Sequence, residues 1–188
     1  MIDRNKYMVI GEVRQLRDCW RDRAKIAMQK RQTTDVQTWM LVDLALSTGL
    51  RAGEILLLET SNVDYEQCLL VVTRLKRRSG PVRETIDIHP QLRDHLAEYI
   101  AYMGIDGRLI DRTYNGIDYA WKRACRLAGL AERCWHLHAA RHTVGTILTK
   151  NHGVAYAQKQ LGHVDIATTS IYVHLDSESM QNALNGLY

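Results

Sequence analysis

Six side chains that together could bind and cleave a phosphodiester are spread along the chain. The set consists of Arg51, Lys76, His138, Arg141, His163 and Tyr172. The arginine side chain presents a planar fork of donors that matches phosphate, and histidine, lysine and tyrosine can move protons or attack phosphorus. Arg141 follows His138 by three residues, which places both on one face of a helix, as a shared phosphate site requires. A tyrosine in an apolar stretch is most often a core residue, so Tyr172 alone would not indicate catalysis.

Five short motifs carry these residues, and their order is informative. They read TGLRAGE from Thr48, RLKRRSG from Arg74, HAARH from His138, LGH from Leu161, and SIYVH around Tyr172. In this order they resemble the catalytic domain of the tyrosine recombinases, also called the phage integrase family. The resemblance covers residues 8–184, and it implies a site-specific recombinase that cuts and rejoins double-stranded DNA.

The resemblance implies a role for each matched residue. Tyr172 would attack phosphorus and form a 3′-phosphotyrosyl bond, while Arg51 and Arg141 hold the charge on the phosphate oxygens. His138 would accept or orient the tyrosine proton, and His163 would hydrogen-bond the phosphate. Glu54 and His142 are expected to support these residues.

Lys76 lies in a basic hairpin and is the candidate donor of a proton to the departing 5′ oxygen. Arg74, Arg77 and Arg78 flank it and are expected to contact DNA. A guanidinium is a poor acid because its pKa lies above about 12, so Lys76 is the group in this cluster that can release a proton. The alternative is a basic loop that touches phosphates without chemistry.

The nucleophile requires activation. A phenol with a pKa near 10 is ionised in about one part in a thousand at pH 7, a deficit of about 4 kcal/mol. Nearby cations and a positioned base that contributes about 10² to 10⁴ in rate can cover much of this deficit. The phosphotyrosyl bond preserves the phosphodiester energy, so the resemblance implies no cofactor, metal ion or ATP.

Three other functions stay open at this point. Cys134, His136, His138 and His142 could form a metal site, although Ala139 stands where an HExxH helix has glutamate. A type IB topoisomerase uses the same chemistry on one strand. A DNA-binding or regulatory protein could keep the fold without cutting DNA.

Composition indicates one soluble globular domain over residues 1–188. The chain has 46% hydrophobic and 24% charged residues, and its formal charge is +4. Apolar runs are too short for a membrane span, and the start does not resemble a secretion signal, so we expect a cytoplasmic, nucleoid-associated protein with free cysteines. Cations cluster in residues 14–31, 74–78 and 122–126, and none follows Lys159.

Hydrophobic periodicity predicts a mainly α fold with a small antiparallel β-sheet (α+β), the tyrosine recombinase catalytic-domain fold. A basic-tipped hairpin is predicted over residues 69–88, around the turn signal Ser79-Gly80-Pro81. Helices are predicted over residues 13–28, 36–46, 50–58, 90–103, 116–127, 138–150, 155–161, 166–172 and 177–187.

The two ends of the chain suggest how it assembles. The sequence begins almost at the first catalytic-domain helix, so the N-terminal core-binding domain of most relatives is expected to be absent. The resemblance implies a tetrameric synaptic complex, with accessory DNA-bending proteins or a separate core-binding domain as further partners. The tail helix at 177–188 either docks into a neighbouring protomer or folds back on its own core.

Overall fold

The computed structural model describes residues 7–75 and 80–162, and the predicted mainly α fold with a small antiparallel sheet is confirmed there. Two single 3₁₀ turns, Thr60–Asn62 and Glu132–Cys134, lie between the regular elements. The helices are α1 (Ile10–Gln29), α2 (Thr34–Thr48), α3 (Ala52–Ile55), α4 (Pro90–Met103), α5 (Tyr114–Leu127), α6 (His138–His152) and α7 (Val154–Leu161). The strands are β1 (Val63–Asp64), β2 (Leu69–Arg74) and β3 (Val82–Asp87). None of the helices in these two ranges is long and apolar enough to cross a membrane.

Helix α2 is the centre of the core. Its residues from Thr38 to Thr48 are all buried, as expected for a helix that is apolar around most of its circumference. Helices α1, α4, α5 and α6 pack around it. Trp20 and Trp121 bury their rings completely and donate their indole N–H groups to the carbonyl oxygens of Ala124 and Cys134. Among the described elements that carry candidate site residues, α3, β2 and α6 all contribute side chains to this apolar core.

The sheet has the order β1-β2-β3, and both pairings are antiparallel. The antiparallel pairing predicted for the two strands of the hairpin is confirmed, with Leu69 opposite Asp87 and Arg74 opposite Val82. The short strand β1 was not predicted. Side chains alternate along β2, so that Leu70 and Val72 face the core together with Arg74.

The helix predicted over residues 50–58 is shorter in the structure. Only Ala52–Ile55 is α-helical, and the chain then turns out of the helix. Beyond it, the carbonyl of Leu58 accepts from the N–H of Leu109 at 2.8 Å, and the backbone of Glu59 forms an antiparallel β-bridge with that of Arg108. These long-range backbone bonds compete with the helix and end it after one turn.

The remaining described helices agree broadly with their predictions, and their ends follow local signals. Pro90 begins α4, which ends before the left-handed Gly104, and Thr113 caps α5 by accepting from the N–H of Gly116. The predicted helices at 166–172 and 177–187 lie outside the described residues. The docking of the tail in cis or in trans therefore stays a prediction.

Candidate active site

Arg51 lies at the junction between α2 and α3. Helix α2 ends at Gly49, whose φ of 65° lies in the left-handed region that glycine adopts without strain. Leu50 then enters the core, and Arg51 is the extended residue that precedes α3. Its backbone N–H donates to Oε2 of Glu54 at 2.9 Å, and its guanidinium donates to Oε1 at 2.9 Å. The TGLRAGE motif thus holds the arginine through a carboxylate that reaches back from the next turn.

Arg141 lies in the first turns of α6 and is only 5% exposed, so it is not a solvated helix charge. It donates from Nη1 to the carbonyl oxygen of Gly49 at 2.8 Å and from Nη2 to that of Leu161 at 2.7 Å. Both acceptors lie at helix C-termini, where carbonyls lack helical partners and carry partial negative charge. Arg141 therefore joins the ends of α2 and α7 to α6.

One shallow pocket brings together three of the predicted catalytic residues. Its lining consists of Leu50, Arg51, Ala52, Leu137, His138 and Arg141. His138 is the first residue of α6 and is exposed, and His142 follows one turn later and is half-buried. The pocket thus lies between Arg51, Arg141 and the exposed imidazole of His138.

Glu54 holds a second guanidinium as well as that of Arg51. Its side chain is fully buried, and Oε2 lies 3.3 Å from Nη1 of Arg74. Arg74 also donates from Nε to Glu84 at 3.1 Å and from Nη2 to the carbonyl oxygen of Gln160 at 2.7 Å. The carboxylate of Glu54 therefore pairs both with the partly exposed Arg51 and with the buried Arg74.

The expectation that Arg74 contacts DNA is wrong, because its side chain is 1% exposed. The alternation of β2 turns it inward with Leu70 and Val72, and two carboxylates and a carbonyl accept its N–H groups. Sequence reasoning treated it as part of a basic run and missed its partners Glu84 and Gln160. The continuous apolar run Leu69–Val72 does not show which face of β2 is buried, so the sequence held no clear signal for the burial of Arg74.

The site carries an excess of positive charge. Burial and the neighbouring Arg51 and Arg74 lower the pKa of Arg141 to about 10, and Glu54 acts in the opposite direction. Arg141 is still protonated at neutral pH. With Glu84, the cluster holds three guanidiniums against two carboxylates, so an anion bound in the pocket would relieve the repulsion.

Glycines at three close contacts allow α7 to pack beside this cluster. A Cβ at Gly49 would lie 2.5 Å from Leu161 Cδ2, and one at Gly145 would lie 3.0 Å from Leu161 Cδ1. A Cβ at Gly162 would lie 2.6 Å from Nε of Arg74. The first two residues of the LGH motif are therefore packing requirements: the leucine fills the space beside two glycines, and the glycine lets the backbone pass over the buried guanidinium.

The remaining predicted site residues lie outside the described part of the chain. They are Lys76, Arg77, Arg78, His163 and Tyr172. The described chain stops beside the cluster in both cases, one residue after Arg74 and again at Gly162. Their roles stay predictions.

The first and third cation groups are engaged largely within the protein. Arg23 and Arg123 pair with Asp35 at 2.8 and 3.0 Å, and both lie over the ring of Trp20. Arg21 pairs with Glu98 at 2.6 Å. These contacts favour a structural role for many of the basic side chains of α1 and α5.

The thiol of Cys134, one of the four residues considered as a metal site, contacts Glu12 and Arg133. This buried thiol lies 4.0 Å from Oε1 of Glu12 and 3.4 Å from Nη1 of Arg133, and burial raises the pKa of this thiol. Within residues 7–75 and 80–162, no group of three or more His, Cys, Asp or Glu side chains is arranged to hold a metal ion.

Comparison with known proteins identifies the family. The sequence profile of the phage integrase family matches residues 21–179, so the chain belongs to this family. Tyrosine recombinase XerA of Saccharolobus solfataricus is 32% identical over 144 residues, which cover 76% of this chain and 47% of that protein. Tyrosine recombinase XerC of Pseudomonas aeruginosa PAO1 is 34% identical over 152 residues, which cover 74% and 48%. The chain thus spans about half the length of these relatives.

Solved structures show the same fold. The crystal structure of XerA recombinase matches with a TM-score of 0.67 at 20% identity, covering 95% of this chain and 64% of that one. The XerH site-specific recombinase, bound to difH substrate in a pre-cleavage complex, matches with a TM-score of 0.62 at 17% identity, covering 95% and 53%. The tyrosine recombinase catalytic-domain fold is thereby confirmed.

Proposed function

We propose that this chain is the strand-cutting and rejoining domain of a site-specific DNA recombinase that acts through a 3′-phosphotyrosyl intermediate. The observation that carries the proposal is the pocket formed by Arg51, His138 and Arg141, which combines net positive charge with an exposed imidazole. Both arginines and the histidine come from motifs whose order matches that of the family.

Arg51 and Arg141 hold the non-bridging oxygens of the scissile phosphate. Negative charge accumulates there as the fifth bond to phosphorus forms, and fixed donors stabilise it most where water is excluded. The contacts to Glu54, Gly49 and Leu161 hold both guanidiniums in place before DNA binds. Each such donor contributes about 10² to 10³ in rate.

Tyr172 supplies the nucleophile, and His138 accepts or orients its proton. The phenolic oxygen bonds to phosphorus and the bond from phosphorus to the 5′ oxygen breaks, with Lys76 giving a proton to that oxygen as it leaves. The products are a 3′-phosphotyrosyl bond and a free 5′ hydroxyl. Rejoining reverses these steps with the 5′ hydroxyl of a second strand, so the reaction needs no redox partner or nucleotide.

Double-stranded DNA and further protomers are the partners that this chemistry requires. The XerH structure is bound to its difH substrate, and the lambda integrase structure is a dimer bound to a core site, with a TM-score of 0.61 to this chain. Exchange between two duplexes needs four cuts, and we propose a tetrameric synaptic complex for this chain. A core-binding domain or DNA-bending proteins would add phosphate contacts.

A nicked suicide substrate tests the proposal. The duplex carries the recombination site, selected from a random library by binding, and a nick that lets the cut fragment diffuse away. Wild type should form an adduct that survives SDS, and Tyr172→Phe should bind this DNA without trapping it. Tyr119→Phe is the matched control because Tyr119 is exposed on α5, and it should trap DNA as wild type does.

Two results would contradict the proposal. One is an adduct formed by Tyr172→Phe, and the other is peptide mapping that finds the DNA on a different side chain. Relaxation of supercoiled plasmid without joining between two duplexes would instead favour the topoisomerase alternative. Binding without any adduct in wild type would favour a non-catalytic DNA-binding protein.

A further inference from the structure

The side chain of Arg74 contacts three different elements around the site, which a residue that only contacts DNA would not need to do. Its side chain is 1% exposed, and it links β2 to α3 through Glu54, to β3 through Glu84 and to α7 through the carbonyl of Gln160. The backbone of Gly162 passes so close to its guanidinium that even a methyl group there would collide with it.

The Glu54 contact affects the charge presented by Arg51. Oε1 of Glu54 accepts from Arg51 and Oε2 is held by Arg74, so one negative charge is divided between two guanidiniums. Without Arg74, the same carboxylate would neutralise Arg51 alone and could turn toward it. Arg74 therefore preserves the positive potential of Arg51 and the orientation of its carboxylate partner.

The Gln160 contact affects the end of α7. Arg74 binds the carbonyl of Gln160 at 2.7 Å, and Arg141 binds that of the next residue, Leu161, at 2.7 Å. Two guanidiniums thus hold consecutive carbonyls at the helix terminus from which the chain continues to His163. Any shift of Arg74 would be transmitted to Arg141 through this shared terminus.

An apolar side chain would be the simpler solution if this position served packing only. Buried ionic networks carry a large desolvation cost, and well-packed apolar residues often replace them without loss of stability. We propose that Arg74 is a positioning residue, which acts on the scissile phosphate through Glu54 with Arg51 and through the terminus of α7 with Arg141, and does not touch DNA. This inference rests on the proposed function.

The test compares Arg74→Met, which keeps the length without charge or donors, with Arg74→Lys, which keeps the charge but cannot span all three acceptors. Arg126→Met is the matched control, because it removes an equal charge from an exposed position on α5. Single-turnover cleavage of the nicked substrate is measured at saturating DNA, together with the Kd and thermal melting. We expect Arg74→Met to cleave about 10²-fold more slowly with little change in Kd, as small misplacements of reacting groups do. Arg74→Lys should recover part of this loss, and Arg126→Met should cleave at the wild-type rate.

A substrate with sulfur in place of the departing 5′ oxygen separates the two sides of the site. Thiolate leaves without a proton, so this substrate should restore cleavage by Lys76→Met. It should not restore Arg74→Met, because Arg74 acts on the phosphate-holding side. Restoration of Arg74→Met by sulfur would overturn the inference.

A folded Arg74 variant that cleaves at the wild-type rate would also overturn the inference. If melting shows that Arg74→Met does not fold, the cleavage rate of Arg74→Lys provides the test. Wild type that traps DNA alongside an equally active Arg74→Met would refute this inference and leave the proposed function standing. Wild type that never traps DNA would refute the proposed function itself.

Discussion

Replacing Glu54 with glutamine should strongly destabilise the protein. The carboxylate is fully buried between Arg51 at 2.9 Å and Arg74 at 3.3 Å. Glutamine keeps one acceptor oxygen but removes the charge, and its NH₂ group would meet a guanidinium donor. Removal of one partner from a buried ion pair costs about 3 to 5 kcal/mol, because the remaining charge stays buried without compensation.

The expected change in melting temperature follows from chain length. For a protein of this size, each kcal/mol corresponds to about 2 to 4 °C, so Glu54→Gln should lower the Tm by about 6 to 20 °C. Urea unfolding and calorimetry measure the two quantities. Glu66→Gln is the matched control, since Glu66 is exposed, and its unfolding free energy should change by less than about 0.5 kcal/mol.

Sulfate provides a second measurement on the same variant. The cluster of Arg51, Arg74, Arg141, Glu54 and Glu84 changes from a net charge of +1 to +2 when Glu54 becomes neutral. Sulfate should therefore raise the Tm of Glu54→Gln more than that of wild type. If Glu54→Gln unfolds within about 1 kcal/mol of wild type and shows no added response to sulfate, the shared-carboxylate account is refuted.

Three further predictions concern α7, a buried tyrosine and the cysteines. Gly49→Ala should destabilise by about 2 to 5 kcal/mol in urea, from left-handed strain and collision with Leu161. Burial raises the pKa of Tyr99 to about 12 from its ordinary value of 10.0, so the protonated phenol is favoured in the folded state. This group should therefore contribute stability below pH 10 that is lost as the pH rises toward 12. Ultraviolet difference titration should show one tyrosine that ionises at higher pH than the others, and this transition should be absent in Tyr99→Phe. A thiol reagent should label half-buried Cys19 well before Cys125, whose burial raises its pKa.

Each of these predictions has a control or a contradicting result. Gly104 has a similar φ of 61°, but a methyl group added there would enter open space, so Gly104→Ala should show the strain without the collision. Equal losses for the two glycine variants would contradict the proposed packing of Leu161. An unchanged titration curve in Tyr99→Phe would contradict the assigned burial effect, as would labelling of Cys125 as fast as Cys19 in the native protein.

Much of the architecture could be predicted from short stretches of sequence. Pro90 and Gly104 mark the two ends of α4, and Gly49 ends α2, because caps and left-handed glycines act within a few residues. The pairing of β2 with β3 follows from two runs of strand-forming residues on either side of the turn signal Ser79-Gly80-Pro81. The order of the five short motifs was enough to indicate the family.

The tertiary structure decided which charges are buried and what they bind. The sequence by itself determined that Arg51, His138 and Arg141 belong to one family pattern, but Arg74 looked like one more cation in a basic loop. Its position on the inward face of β2 is local, whereas its partners Glu54 and Gln160 come from elements 20 and 86 residues away in the chain. A charge can enter the interior only where such partners converge, and that convergence arises from packing among distant elements, which local sequence patterns do not encode.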